Sequence, residues 1–173
     1  LSSGTSALAD KGLLEAPCSQ YPRYSSIIDV FSQQVAAQPD RIAIKDSLCQ
    51  WTYARLDLES DKMARFLRDL DLPKETVITV FAERSCETIA AFLGILKANM
   101  AYLPLDIKFP AARIESILSF IEGNRLVLVG SGCQFPIMHM DRVDIVPMVR
   151  LSTGVSLNSA YNEGTLPSPN SLA

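Results

Sequence analysis

The stretch TVITVFAERSCETIAAFLGILKANMAYLPLD, residues 76–106, decides the fold. Thr76 to Phe81 is a β-branched run of the kind that makes a buried strand. Ser85 is placed to cap a helix over Cys86 to Ala98, with Glu87 favouring the positive end of its dipole. Ile89, Ala90, Phe92, Leu93, Ile95 and Leu96 cover most of that helix's circumference, which predicts a helix buried all round. Lys97 suits the negative end of the dipole, and Asn99 is the second choice after glycine for the left-handed residue that ends a helix. With no linker, Ala101 to Leu105 reads as the next strand. Pro104 cannot donate to a ladder, so it marks an edge or the end of pairing. The unit is strand, crossover helix, strand, and its junction at Asn99 reads as scaffold rather than as a ligand site.

Upstream, Ser26 and Asp29 form a capping-box-like pair ahead of Ile27, Val30, Phe31 and Val35, which recur at helical spacing up to Gln38. Pro39-Asp40 stops that helix. Arg41 to Lys45 alternates like a strand, Asp46-Ser47 offers a turn, and Gln50-Trp51-Thr52 returns as a hairpin. Thr52 caps a further helix with the stripe Leu56, Met63, Ala64, Leu67 and Leu70. Arg65, Arg68 and Asp69 lie outside the stripe, and Asp57, Glu59 and Asp61 read as a solvated face. Downstream, Pro110 suits the first position of a helix presenting Ile114, Ile117, Leu118 and Ile121. Arg125 to Val129 is a buried strand and Asp144 to Val149 a weaker one. The class is therefore α/β, a mostly parallel sheet with helices on both faces. Residues 1–24 read as a leader or interdomain linker, 25–150 as the folded domain, and 151–173 as an irregular tail.

Composition narrows the function classes. Of the 173 residues, 48% are apolar and 20% charged, as in ordinary globular chains. A net charge of −3 with both signs dispersed makes no electrostatic case for nucleic acid or anionic membrane. The apolar run Ile89 to Leu96 is too short to span a bilayer, and no secretory leader is evident, so a cytoplasmic location is expected. Cys18, Cys49, Cys86 and Cys133 include no CxxC pair and read as small core residues in a reducing compartment. His139 stands alone and reads as a loop residue. Because the chain opens on Leu1 and not Met, it is expected to be processed, cut, or part of something longer.

No motif supplies chemistry. Gly130-Ser131-Gly132 follows a buried strand, but a dinucleotide fingerprint needs a glycine at 135, which is Phe, so the stretch reads as a turn. Ser2-Ser3-Gly4-Thr5-Ser6 and Ser152-Thr153-Gly154 lack the lysine of a phosphate loop and read as linker. No base adjoins any Ser or Cys in the pattern a nucleophile needs. No catalytic, cofactor-binding or metal-binding residue is assigned.

The residues do carry a resemblance. Leu96 to Asp106 resembles the second core motif of the adenylation (AMP-binding) domains of nonribosomal peptide synthetases, L-K-A-G-x-A-Y-x-P-L-D, and departs from it only at Asn99. Trp51 to Leu56 is similar to the first, [LW]-[ST]-Y-x-E-L, with Arg55 in place of Glu, which loses the reciprocal half of a capping box at Thr52. Gln38 to Ile44 resembles the entry to the first strand, Glu83-Arg84-Ser85 the start of the buried helix, and Phe109 to Ile114 the helix start after the second motif. The resemblance covers residues 21–130 well and the tail more loosely.

That resemblance implies the first subdomain of the adenylate-forming enzyme fold, incomplete. The complete enzyme would use ATP and Mg²⁺ to make an aminoacyl-adenylate and pyrophosphate, then load a carrier phosphopantetheine. The implied partners are the remainder of the domain and neighbouring condensation and carrier domains. The family's phosphate loop, T-S-G-[ST]-T-G-x-P-K-G, has no copy here, and Pro167 to Ala173 resembles the lead-in to it. This implies a catalytically inactive N-terminal piece, with self-association through unburied apolar surface as a further expectation. The alternative is a stand-alone truncated α/β module used for binding or regulation.

Overall fold

The computed structural model describes residues 26–123, 125–137 and 140–148. The leader, the irregular tail, Cys18 and His139 lie outside the described residues. In chain order the elements are α1 (Ile27–Ala37), β1 (Ile42–Lys45), β2 (Gln50–Thr52), α2 (Tyr53–Asp69), β3 (Val77–Phe81), α3 (Cys86–Lys97), β4 (Ala101–Leu105), α4 (Ala111–Ser119), β5 (Arg125–Val129) and β6 (Val143–Pro147). β1 and β2 form a separate antiparallel hairpin. The other strands make one parallel sheet in the order β4-β3-β5-β6.

Strand alternation divides the core in two. Ile78, Val80, Leu126 and Leu128 pack against Met63, Leu67, Ala91 and Ile95 of α2 and α3. Phe81, Val127 and Val129 face the other way, onto Ile114 and Leu118 of α4. Thr79 points to neither water nor a partner. It is fully buried and its Oγ1 lacks a hydrogen bond, at a cost of about 1–3 kcal/mol.

The junction behaves as its residues predict. Asn99 takes a left-handed φ of 58° directly after the Ala98 cap, and its carbonyl accepts from the Glu75 amide. Pro104 sits on β4, the edge of the sheet. Ser26 and Asp29 form a complete capping box, and Thr52 and Ser85 cap α2 and α3. At Thr52 only the forward half of the box exists. Arg55 instead pairs with Glu59 at 2.9 Å and lies over the Trp51 ring.

Four expectations need correction. Pro110 stands at the cap position, one residue before the helix, because its extended ψ of 148° turns the chain into Ala111. α3 is not buried all round: Ile89 is 40% exposed, and Phe92, Leu93 and Leu96 are only half-buried. The weak last strand runs Val143–Pro147, and Val149 lies outside the described residues.

The supposed solvated face of α2 is an ion network. Glu59 is buried between Arg55 and Lys62. Asp57 and Asp61 each hold Lys97 Nζ at 2.7 Å, a side chain only 9% exposed that reaches across from α3. Lys97 therefore braces two helices besides serving the dipole of its own. Sequence spacing could not reveal this, because the partners lie 36 and 40 positions away.

Candidate functional site

A crevice opens at the carboxyl ends of β3 and β4. There the chain leaves toward α3 on one face of the sheet and toward α4 on the other, one strand away from the β3/β5 pair where the strand order reverses. Its walls are the β3–α3 loop, the β4–α4 loop and the β1–β2 turn, over a floor that includes Ile89 and Phe92. Local bonds hold each wall. Thr88 Oγ1 donates to the Glu83 carbonyl at 2.7 Å while Ser85 Oγ accepts from the Thr88 amide. Asp106 Oδ1 accepts from the Lys108 amide at 2.9 Å, and Arg113 lies over the Phe109 ring.

Asp46 joins two of these walls. Its Oδ1 accepts from the amides of Leu48 and Cys49, and its Oδ2 from the amide of Cys86 at the start of α3, each at 2.8 Å. The bond from Cys86, then those from Cys49 and Leu48, holds its carboxyl well below the usual carboxylate range. The hairpin turn is thereby tied to a helix forty residues on. The two thiols follow. Cys49 Sγ lies 3.7 Å from Asp46 Oδ2, and ligand atoms of Asp46, Cys49 and Cys86 all fall within 4.8 Å of one another. Cys49 is exposed and Cys86 buried, so the reading of the cysteines as core residues holds only for Cys86 among these two. Burial, reinforced by Asp46 and Cys49, pushes the Cys86 thiol up to about 12.

This chemistry is quiet. A thiol at that pKa is neutral near pH 7 and a poor nucleophile. A carboxylate so strongly hydrogen-bonded is a weak base. One consequence can be measured. The folded pKa of Asp46 lies below 3.8, so its contribution to stability is complete above that pH and is lost as pH falls below it. Asp46→Asn should lower the urea midpoint near neutrality, and its deficit against the wild type should shrink as pH drops below about 3.8. A deficit that stays constant down to strong acid would show that the charge contributes nothing.

Gly130-Ser131-Gly132 is a turn, as its residues suggest. Glu87 Oε2 accepts from Ser131 Oγ at 2.7 Å and from its amide at 3.4 Å. A phosphate placed there would meet a carboxylate and an already engaged donor. Gly130 is required for close approach, because a Cβ would lie 2.6 Å from that of Ala82. The sequence contains no signal that would have assembled Asp46, Cys49 and Cys86, since their meeting depends on how the hairpin docks on α3.

Comparison with known proteins places the chain. A family model described as AMP-binding enzyme matches residues 31–167. Nonribosomal peptide synthetase kk1B of Curvularia clavata is 49% identical over all of this chain and 1% of its own length. Cyclosporin synthetase simA of Tolypocladium inflatum is 47% identical over the whole chain, again 1% of its own length. The chain thus spans a very small part of these relatives. Among solved structures, nonribosomal peptide synthetase FmoA3 superposes with a TM-score of 0.64 at 26% identity, over 70% of this chain and 13% of that one. The N-terminal subdomain of Klebsiella oxytoca NpsA gives 0.65 at 20% identity, over 82% and 34%, a likeness of fold.

Proposed function

Because the chain belongs to the AMP-binding enzyme family, we propose that it is the opening scaffold of a nonribosomal peptide synthetase adenylation domain and has no activity by itself. The observation that carries this reading is the family match over residues 31–167 together with the Leu96 to Asp106 motif, whose one departure, Asn99, keeps the left-handed backbone the motif's glycine would supply. The folded part of that domain is assigned to residues 25–150, with 1–24 as linker and 151–173 as lead-in. In the complete protein, ATP and an amino acid would form an aminoacyl-adenylate, which then loads a carrier thiol. Condensation and carrier domains are the proposed neighbours.

The segment's part in that reaction is positional. α3 and β4 set the carboxyl edge of the sheet against which later segments would pack. The described residues do not fit ATP or Mg²⁺. The single glycine-rich turn is closed by Glu87, and the Asp46 cluster offers two sulfurs where Mg²⁺ demands oxygen. Charge developing on pyrophosphate would therefore have no donors, and losing even one such donor commonly costs about a hundredfold or more. No helix among the described residues is long and apolar enough to cross a membrane. A cytoplasmic setting agrees with the free thiols Cys49, Cys86 and Cys133.

The purified chain is expected to give no amino-acid-dependent ATP–pyrophosphate exchange above a blank. Measurable exchange would overturn the proposed inactivity. Sequencing the transcript past the codon for Ala173 tests the parentage. A frame running on into a Ser/Thr/Gly loop that ends Pro-Lys-Gly supports the scaffold, and an immediate stop codon rejects it in favour of a stand-alone module.

A further inference from the structure

We propose that Cys49, Cys86 and Asp46 form a binding site for one thiophilic divalent cation, Zn²⁺ by chemical class, clamping the β1–β2 hairpin to the start of α3. Three observations converge. First, the ligand atoms already lie within 4.8 Å of one another. Tetrahedral zinc, with Zn–S of about 2.3 Å and Zn–O of about 2.0–2.2 Å, holds its ligands roughly 3.5–3.8 Å apart. Cys49 Sγ and Asp46 Oδ2, at 3.7 Å, already meet that spacing.

Second, the carboxylate is held as a metal ligand is held. Three backbone amides fix both its oxygens, the kind of supporting shell that orients a ligand before the ion arrives. Third, the thiols are not needed for the turn. Those amides satisfy Asp46 without them, and their own contacts are long: 3.7 Å from Cys49 Sγ to Asp46, and 3.9 Å from Cys86 Sγ to the Cys49 carbonyl. Two sulfurs and one oxygen select a borderline-soft ion over Mg²⁺ or Ca²⁺. Cys49 is exposed, so water can supply the fourth position.

Binding replaces two S–H bonds by two Zn–S bonds and releases two protons to solvent. The carboxylate contributes a lone pair, and no redox change occurs. The site depends on the docking of the hairpin on α3 and not on the parentage of the chain, so its failure would leave the proposed scaffold untouched, and the converse also holds.

The test is titration of the reduced full chain with Co²⁺, followed by displacement with Zn²⁺. One Co²⁺ per chain is expected, with thiolate-to-cobalt charge-transfer and tetrahedral d–d absorption that Zn²⁺ abolishes. Cys49→Ser alters an exposed side chain and should leave the fold intact. It should weaken Zn²⁺ binding by more than about a hundredfold, beyond the 10–100-fold typical of losing a group that only supports a ligand. Zn²⁺ should raise the Tm of the wild type and not that of Cys49→Ser. The double variant Cys18→Ser/Cys133→Ser should keep the spectrum. Absence of the bands, bands that survive Cys49→Ser, or a chain isolated with a Cys49–Cys86 disulfide that thiol reductants do not open would each overturn the proposal.

Discussion

Gly94→Ala is expected to destabilise the chain by about 1–3 kcal/mol, although alanine is the better helix former by about 1 kcal/mol. Gly94 of α3 packs directly against Met63 and Ser60 of α2. A Cβ there would sit 2.5 Å from Met63 Cβ and 2.7 Å from the Ser60 carbonyl oxygen. The second neighbour is backbone, and Ser60 is itself fully buried, so neither can yield without moving α2 off the sheet. Gly94→Leu adds three more carbons at the same contact and is expected to abolish cooperative unfolding. Urea denaturation followed by circular dichroism reads both. The sign is the informative part: at an exposed helical position alanine would raise the midpoint. A Gly94→Ala chain as stable as the wild type would mean that the clash costs no more than the helix-propensity gain of about 1 kcal/mol.

Leu118→Ala should cost about 2–5 kcal/mol, the range for removing a fully buried leucine. α4 is the helix that covers the Phe81, Val127 and Val129 face among the described residues, and it does so chiefly through Ile114 and Leu118. Among the described residues no second helix packs on that face, so relaxation is expected to offset little of the loss. Phe120, two residues on, is the internal control. It is 83% exposed, and Phe120→Ser should change stability by no more than about 0.5 kcal/mol. Equal melting temperatures for Leu118→Ala and Phe120→Ser would refute this account of how the second face is held.

Much of the fold was legible because local chemistry and long-range packing agree at the same residues. Ser26, Thr52 and Ser85 are caps by residue type and caps in the structure. Asn99 reads as a helix terminator and takes the backbone of one. The β-branched run up to Phe81 is one of the two interior strands, paired on both sides. The departures arise where burial is decided by something remote. Ile89 is apolar yet 40% exposed, because periodicity says which faces of a helix are apolar and not which of them is covered. Glu59, Asp57 and Asp61 are carboxylates on a helix, and spacing alone makes them a wet face. They instead bind Arg55, Lys62 and Lys97, the last from another helix.

The sequence by itself determined the order and type of the elements and the family, because each follows from residues adjacent in the chain or from ordered motifs, while Pro104 left open an edge or the end of pairing until the strand order made β4 the edge. Tertiary structure alone decided which strands neighbour one another, that β1 and β2 stand outside the sheet, that Glu87 closes the glycine turn, and that two thiols converge on one carboxylate. The physical reason is distance along the chain. Asp46 meets Cys86 across forty residues and Glu87 meets Ser131 across forty-four, and neither contact exists until the sheet has placed its loops.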